Sequence, residues 1–590
     1  MNKLTDWFSK NTVKKTILLV LLIILATNFW HARYNRPDGV IAWDIKSYYA
    51  YLPAVFIYND IELNFRQENI EKFGELIWPV TTPTGKKVII TTMGMSVLYS
   101  PFFAIAHGVA HITKWEPDGY SRPYRFALTF SALFYLWLGM VFLAKILRRF
   151  FKEPVVAFTI LAITLGTNLY YYSTYEAPMT HSYNFVLITL FIWLTMRFWD
   201  APSLKRILGC GALAGFITLI RPTNIIVLLI FFLWNIKSWS DFKERFTYFI
   251  HRFHWVLIMA AVFVLVWVPQ FAYWYSVSGK IFYFTYGYRG AGFFFNNPQI
   301  FNILLSYKKG WLVYTPLMIF ALAGIFMLPK KIPGLFIPII IYKLLSIYIL
   351  SSWWSWWFGG GFGLRAFVDS YGLLAIPFAC VVDYGFKQKN WQKYAVTSIL
   401  VILILFNQFQ TRQYHHNAIH WWWMNKEAYW ETFLKLKPTQ RFWEVVTLPD
   451  YEAARKGIYR ELRTKEAIEK EKRQDSNWKT KFSVESIVGW LAPKIASDNI
   501  YHERLSAKLK SAEIDGDTIT ASKQIAVEMI EKHGVNYWDE KMALDLLIEE
   551  MRGKKNLMKS IEEKAIKNNI SIDSQLLKDA RWLLEKEKRE

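Results

Sequence analysis

Apolar stretches about as long as a membrane crossing recur through the first 410 residues of the chain and then stop. An α-helix needs about 20 mostly apolar residues to cross the hydrocarbon core of a bilayer. Residues 93–112 are apolar enough, but we interpret them as a helix along the outer interface, interrupted near Pro101. The pattern otherwise predicts about eleven crossing helices, over residues 16–30, 124–147, 155–172, 182–199, 206–220, 224–236, 254–275, 311–328, 333–350, 366–383 and 394–409.

Beyond residue 440 the pattern becomes that of soluble amphipathic helices. Leu576, Ala580 and Leu584 recur at helical spacing, and Gly553 stands where another helix is expected to end. We therefore predict three parts of the chain: a membrane domain over residues 1–410 with a first outer loop over 31–123, an interfacial segment over 411–440, and a helical soluble domain over 441–590.

Composition and charge agree with this division. Hydrophobic residues make up 53% of the chain and charged residues 20%, below the quarter that is usual in soluble domains. Residues 441–590 hold 29 Lys and Arg against 28 Asp and Glu, so nearly all of the net charge of +23 lies in the membrane part. A nearly neutral tail argues against nucleic-acid binding. Cys210 and Cys380 both lie in apolar segments, which argues against a disulfide framework or a thiolate metal site.

The placement of basic residues predicts the side of the membrane that each loop faces. Cytoplasmic loops are enriched in Lys and Arg. With the N-terminus inside, every alternate loop is basic, from Lys14 and Lys15 to Lys387 and Lys389. The first apolar segment lacks a small-residue cleavage site, so we expect a retained anchor. The soluble domain and the loops of unusual composition then share the outer side.

The first outer loop carries an acid among aromatic residues, Asp44 in "AWDIKSYYAYLP". A carboxylate at this position can act as a general base that takes a proton from an attacking hydroxyl. Asp is also a favoured helix N-cap, and a helical pattern follows Asp44. The two roles are compatible, because a cap does not occupy both carboxylate oxygens.

The next outer loop, "TYEAPMTHSY", contributes Glu176 and His181. Glu176 is a candidate second acid that binds an acceptor, shares a divalent cation with Asp44 or shifts its pKa. The alternatives are a solvated loop position for Glu176 and a hydrogen-bonded interface position for His181. The residue types favour these alternatives.

The stretch "SSWWSWWFGGGFGLRAFVD" has the most unusual composition in the chain. Its tryptophans are typical of an aromatic belt at a membrane interface, whereas its glycines let the backbone approach a ligand closely. Arg365 can bind phosphate in a forked geometry. Asp369, four residues later, is expected to orient that guanidinium if the segment is an α-helix.

Further basic residues fall on the outer side, against the general bias: Arg221, Arg289, Lys308 and Lys309. Such residues often extend toward lipid headgroups, as we expect of the two lysines. Arg221 interrupts an apolar run and is a candidate anion ligand. The chain has no P-loop, HExxH, GxSxG or paired CxxC motif, so nucleotide chemistry and zinc hydrolysis lack sequence support.

Together these features resemble the GT-C superfamily of integral-membrane glycosyltransferases, such as protein O-mannosyltransferases and the aminoarabinose transferases that modify lipid A. The resemblance covers about residues 10–430. It rests on the first-loop acid, an interfacial helix before the span "SRPYRFALTFSALFYLWLGMVFLAKILRRF", and "WWFGGGFGLRAFVD". It implies an all-α polytopic protein of the bacterial cytoplasmic membrane, with interfacial helices in the first outer loop and the C-terminal helical domain in the periplasm.

The resemblance also implies a reaction, the inverting transfer of a sugar from a polyprenyl-phosphate donor to a hydroxyl of a lipid, glycan or protein. Asp44 is then the general base, and Arg365 with Arg221 or Arg289 stabilises the departing phosphate. No cofactor is implied, and without adjacent acids in the first loop a divalent cation is only an alternative. Aromatic side chains are expected to pack against the sugar or isoprenoid: Tyr48, Tyr49, Trp353, Trp354, Trp356 and Trp357.

Two other functions stay open at this stage. A flippase or transporter of a lipid carrier or glycolipid is expected to carry ionisable residues near the middle of the membrane, where Lys343 is the main candidate. An O-antigen-ligase-type transferase uses a catalytic Arg or His in a large outer loop. The stretch "YHHNAIHWWWMN", residues 414–425, is consistent with that alternative.

Overall fold

The chain divides into two compact units, residues 1–464 and residues 465–590. A computed structural model describes residues 11–74, 76–287, 290–463, 481–497, 518–533, 535–568 and 571–587. The division falls later than the predicted boundary at residue 440. The reason is an antiparallel strand pair, Thr447–Pro449 with Glu461–Arg463, which belongs to the first unit.

The first unit consists mainly of helices, which confirms the all-α polytopic architecture that the apolar pattern predicted. Eight helices in the described residues are long and apolar enough to cross a membrane: Thr12–Asn35, Gly94–Ile112, Arg122–Leu147, Thr180–Asp200, Phe253–Ser278, Pro333–Ser351, Arg365–Lys387 and Trp391–His415. All of them except Gly94–Ile112 coincide with predicted crossings.

The remaining predicted crossings are shorter or broken. Glu153–Leu165 and Pro222–Phe232 are apolar but short, and Leu204–Ile220 has 17 residues. The predicted span 311–328 is interrupted at Pro316, because proline lacks an N–H and disfavours helix in the residue before it. It forms the separate helices Trp311–Tyr314, Met318–Ile325 and Leu328–Lys331.

The helix Gly94–Ile112 is continuous through Pro101, so the expected interruption there is wrong. Proline removes the N–H that would bind the carbonyl of Val97. The Ser100 hydroxyl donates to that carbonyl instead, over 2.8 Å, and replaces the lost hydrogen bond. The interpretation of this helix as interfacial stays a prediction.

Shorter elements connect the long helices. Their helical bounds are Asp44–Tyr49, Tyr51–Phe56, Asn64–Glu68, Ile70–Phe73, Leu228–Phe232, Trp239–His251, Ile300–Leu305, Lys426–Glu431, Gln440–Val445 and Tyr451–Ala454. Strand Pro79–Thr81 pairs antiparallel with Lys87–Ile89. Tight 3₁₀ turns include Arg33–Asn35, Tyr171–Ser173 and Arg365–Ser370.

Helix packing sets which spans are central. The span Arg365–Lys387 is almost wholly buried, whereas Phe253–Ser278 exposes most of its apolar side chains. Glycines allow the close approach of Leu204–Ile220 to Phe253–Ser278, since a Cβ on Gly211 would lie 2.6 Å from the Met259 carbonyl oxygen. Small residues at such crossings are typical of membrane helices.

The second unit is helical, as predicted for the C-terminal region. One core contains Ile487, Ile525 and Trp538, and another contains Ile561 and Leu576. Leu576, Ala580 and Leu584 are all buried, in agreement with their helical spacing. The helices are Val484–Ser497, Thr518–His533, Val535–Gly553, Lys555–Asn568 and Ile572–Glu587.

Replacing Gly324 by alanine should destabilise the first unit. Gly324 lies in the helix Met318–Ile325, and a Cβ there would stand 2.0 Å from the carbonyl oxygen of Pro377. We expect Gly324→Ala to lower the free energy of unfolding by about 1–3 kcal/mol, measured as a lower thermal midpoint in detergent. Gly108→Ala is the matched control, because no atom lies within 4 Å of that position. Equal midpoints for wild type and Gly324→Ala would contradict the close contact.

Candidate functional site

A cavity of about 630 Å³ lies in the first unit and brings together three predicted site residues, Asp44, Glu176 and Arg365. The first and the last of these are 321 positions apart in the chain. Its volume is typical of a small-molecule site. Its walls come from the end of the helix Thr12–His31, the loop before Asp44, and segments 171–179, 359–361 and 414–422.

Asp44 is the first residue of the helix Asp44–Tyr49, and Trp43 occupies the N-cap position. The Trp43 backbone has φ 51°, a left-handed value that is costly for a residue with a side chain. Its ring centroid lies 5.7 Å from that of Trp421, a contact that supports this conformation. No side chain caps the helix. The N-cap interpretation of Asp44 is therefore wrong, and its carboxylate faces the cavity.

Asp44 and Arg365 form an ion pair at the cavity wall. Nη2 of Arg365 donates to Oδ2 of Asp44 over 2.8 Å. The Asp44 side chain is 45% exposed and that of Arg365 is 16% exposed, so a ligand in the cavity can reach both. Among the described residues the Arg365 guanidinium has no other hydrogen-bond acceptor. Its remaining N–H groups are therefore available to an anion.

The glycine-rich segment fixes Arg365 by a close approach of its backbone. Gly361 has φ 155°, and a Cβ there would lie 2.7 Å from the Tyr172 hydroxyl and 3.4 Å from Cδ of Arg365. The N–H of Phe362 donates to that hydroxyl over 2.9 Å, and Nδ2 of Asn168 donates to the Phe362 carbonyl over 3.2 Å. A side chain at position 361 would displace the Tyr172 hydroxyl, which holds the N–H of Phe362.

Lys309 connects the glycine-rich segment to the segment that carries Trp421. Its buried Nζ donates to the carbonyl of Gly361 and, over 2.8 Å, to that of Trp421. Burial lowers the pKa of Lys309 to about 7, with smaller contributions from Lys308 and Arg365. The expectation that Lys308 and Lys309 extend to headgroups is wrong, since both side chains are buried.

Glu176 is the second acid of the cavity. It is partly buried, and the Tyr171 hydroxyl donates to its Oε1 over 3.2 Å. Burial raises the pKa of Glu176, while Arg365 and Arg33 act in the opposite direction. Glu176 therefore lies within electrostatic range of two arginines and carries a carboxyl that is easier to protonate than a solvated one.

Asp369 belongs to a separate buried network and does not orient Arg365. Residues 365–370 form a 3₁₀ turn, in which positions four apart are not on one face. His181 is buried in this network beside Asp369, and its expected position at the membrane interface stays a prediction. The Asp369 carboxylate is contacted by Asn224 (2.8 Å), Asn184 (3.1 Å), His181 (3.2 Å) and Arg221 (3.4 Å). Neither Arg221 nor His181 lines the cavity.

The predicted aromatic ligands lie outside the cavity wall. Tyr49 is fully buried and its hydroxyl donates to the Gly119 carbonyl. Tyr48 follows Asp44 by one turn in the helix Asp44–Tyr49, and burial and the charge of Asp44 raise the pKa of Tyr48 above its ordinary value. Trp354, Trp356 and Trp357 are buried in one cluster, with Trp353 packed against it. The rings that line the cavity are those of His31, Trp43, Tyr171, Tyr175, Tyr414, His415, Trp421 and Trp422.

Several cavity residues were not predicted. Arg33 follows the first span directly, and a basic residue there on the outer side runs against the charge bias. That departure was a usable signal. His415 and Trp421 belong to the stretch 414–425, which was noted only for another reaction. Arg289, a predicted phosphate ligand, lies outside the described residues.

The two cavity carboxylates stand near arginines and not within a larger group of metal-ligating side chains of the described residues. Among the described residues there is no group of three or more His, Cys, Asp or Glu side chains that could hold a metal ion. Asp44 is paired with Arg365, and Glu176 lies near Arg33 and Arg365. The guanidinium of Arg365 thus already gives Asp44 a cationic partner.

Comparisons with known proteins give limited similarity. No protein-family model and no curated protein matches the chain. The archaeal oligosaccharyltransferase AglB of Archaeoglobus fulgidus, solved with an inhibitory peptide and a dolichol-phosphate, is 13% identical over 69% of this chain, with a TM-score of 0.41. The apo form of an Archaeoglobus fulgidus oligosaccharyltransferase is 14% identical over 74%, with a TM-score of 0.39. The chain spans 55% and 61% of the lengths of these two proteins. At such low identity and TM-score we draw no conclusion about function from the likeness.

Lys309 should make stability depend on pH. Its pKa is about 7 in the fold against 10.5 in the unfolded chain, so between these values the unfolded chain binds the extra proton. Stability therefore rises with pH across this range. Lys309→Met lacks the titrating amine. We therefore expect the thermal midpoint of the wild type, measured relative to that of Lys309→Met, to rise from pH 7 to pH 9.5 in detergent. A constant difference would show that the amine titrates normally.

Proposed function

We propose that the protein is a membrane glycosyltransferase that moves a sugar from a polyprenyl-phosphate-linked donor to an acceptor hydroxyl, with inversion at the anomeric carbon. The observation that carries the proposal is the Asp44–Arg365 pair, joined over 2.8 Å at the wall of a cavity of about 630 Å³. One cavity thus offers a carboxylate to the attacking hydroxyl and a cation to the departing phosphate.

Transfer from a sugar phosphate needs a base more than it needs an acid. An alcohol attacks slowly until a base withdraws its proton, whereas phosphate leaves as an anion without being protonated. In the proposed step the acceptor oxygen bonds to the anomeric carbon while the bond from that carbon to the phosphate oxygen breaks. The hydroxyl proton passes to Asp44, and Arg365 stabilises the polyprenyl phosphate that leaves.

The ion pair also supports a donor phosphate site directly beside the proposed base. Arg365 has N–H groups free of Asp44 that can bind a phosphate in a forked geometry. A phosphate bound in this way would lie beside Asp44, so the departing group and the carboxylate that takes the hydroxyl proton would meet at one guanidinium.

We assign Glu176 to the acceptor and not to the base. Its carboxyl has one hydrogen bond from Tyr171 and faces the cavity. Its raised pKa lets it bind a hydroxyl in either protonation state. Arg221 and His181, which contact Asp369, are assigned to the support of the site.

The proposed location is the bacterial cytoplasmic membrane, with the N-terminus inside and the cavity and C-terminal unit on the periplasmic side. The eight long apolar helices of the described residues and the alternation of basic loops support it. The acceptor is then a lipid, glycan or protein at the outer face, and the donor enters from the bilayer.

One alternative has an observation in its favour. His415 and Arg33 line the same cavity as Asp44, so an O-antigen-ligase-type reaction with His415 as base is the second candidate. A transporter has less support. Lys343 is buried with Nζ 3.9 Å and 3.4 Å from the ring centroids of Trp311 and Phe367, a cation–π contact that suits a packing role.

Asp44→Asn should abolish transfer, because asparagine cannot accept the hydroxyl proton. We expect a loss of about 10²- to 10⁴-fold. The measurement is mass spectrometry of surface glycans and glycoproteins. The cells have the native gene deleted and express either the wild type or one variant.

Asp200→Asn is the matched control, since it also breaks an Asp–Arg pair but lies outside the cavity. Its product should equal that of wild type. Full transfer by Asp44→Asn would overturn the proposal, and a loss confined to His415→Asn would favour the ligase-type alternative.

Glu176→Gln should show whether Asp44 takes the proton alone or whether Asp44 and Glu176 take part together. If Asp44 works alone, the glutamine retains hydrogen bonding to the acceptor, and transfer should fall by less than about 10-fold, as expected for one neutral hydrogen bond. The same assay, run beside Asp44→Asn, measures it. Equal losses in the two variants would mean that both acids take part in proton transfer.

A further inference from the structure

A smaller cavity of about 190 Å³ adjoins the candidate site. Its lining residues are His31, Arg33, Arg36, Asp38, Gly39 and His415. Four of these six, His31, Arg33, Gly39 and His415, also line the larger cavity, so the two share a wall. Nothing in the proposed reaction uses this second space.

The charges of the smaller cavity do not balance. Two arginines face one acid, Asp38, which is exposed, and the two histidines offer ring nitrogens as further hydrogen-bonding groups. Among the described residues, no carboxylate forms an ion pair with Arg33 or Arg36. Guanidinium groups grouped without an anion are typical of phosphate and carboxylate sites.

The backbone holds these groups in place. The helix Thr12–His31 ends at Ala32, whose φ is 42° and whose N–H donates to the Asn28 carbonyl over 3.0 Å. Nε of Arg33 donates to the Gly39 carbonyl over 2.8 Å, and Nη1 donates to that of Tyr175. Nη2 has no acceptor among the described residues and is free for a ligand.

The turn between Arg33 and Gly39 is too tight for a side chain at position 39. A Cβ on Gly39 would lie 2.0 Å from the carbonyl oxygen of Arg33. This closure keeps Arg33 and Arg36 on one wall, and the exposed Arg36 has its whole guanidinium available. The rings of His31 and His415 also line this cavity and pack against each other, with their centroids 4.8 Å apart.

We propose that the smaller cavity binds the phosphate group of a second anionic lipid, distinct from the donor phosphate assigned to Arg365. That the first phosphate belongs to a sugar donor rests on the proposed function. The second site rests on the charge and geometry of residues 31–39 and His415. The phosphate belongs to a lipid that reacts in the cavity or to the headgroup of a bilayer lipid.

The test measures binding of radiolabelled inorganic phosphate to the full-length protein in neutral detergent, by equilibrium dialysis at constant ionic strength. Arg365→Gln removes the donor site and is the background for the other variants. In this background Arg36→Gln should weaken phosphate binding by about 10-fold, as expected for a charged hydrogen bond. Arg197→Gln, which removes an exposed arginine elsewhere, should leave binding unchanged.

Two results would overturn the site: no residual binding in Arg365→Gln, or equal binding with and without Arg36→Gln. Competition then identifies the source. Displacement of phosphate by farnesyl phosphate alone indicates a reacting lipid, and displacement by phosphatidylglycerol nanodiscs but not by phosphatidylcholine nanodiscs indicates a headgroup. Displacement by neither contradicts a lipid phosphate. No turnover is needed, so Asp44→Asn tests the reaction separately.

Discussion

The position of Arg365 depends on how the backbone of the glycine-rich segment is held. Lys309, Tyr172 and Asn168, which come from other parts of the chain, bind the backbone groups of Gly361 and Phe362. The missing Cβ of Gly361 leaves the space that the Tyr172 hydroxyl occupies. The backbone that leads to Arg365 is therefore held before any ligand arrives, and a preorganised charge stabilises a developing anion with little reorganisation of the protein.

Two carboxylates near this segment avoid the free-energy cost of removing a charge from water in different ways. Asp369 is buried, and four side chains contact it, because a buried carboxylate without partners would be strongly destabilising. Asp44 is 45% exposed and has one partner. Water can satisfy its other lone pairs, and a hydroxyl can replace that water. The first acid stabilises the fold, and the second keeps the capacity for chemistry.

The sequence predicted the long helices and the two acids of the cavity. It did not predict which residues contact each other when the contact is made between distant parts of the chain. Apolar length and basic loops identified most long helices, since both reflect the membrane directly. Pairing Arg365 with Asp369 assumed an α-helix, but a 3₁₀ turn follows the glycines and Arg365 turns to Asp44 instead. The tryptophans were conspicuous by composition, yet they pack with residues near Tyr451, which no local pattern indicates.

The charges along the cavity impose an order on the proposed reaction. Without a donor, Arg365 is bound to Asp44 and occupies one oxygen of its carboxylate. Glu176 lies near both Arg33 and Arg365, so anions at either arginine weaken the forces that keep it ionised. A phosphate at each end would leave Glu176 more easily protonated. A donor phosphate bound by Arg365 would also compete with Asp44 for that guanidinium and free the carboxylate oxygen for the acceptor hydroxyl. The acceptor hydroxyl would then be deprotonated only after the phosphate that must leave is in place, which prevents an activated nucleophile from waiting in an empty site.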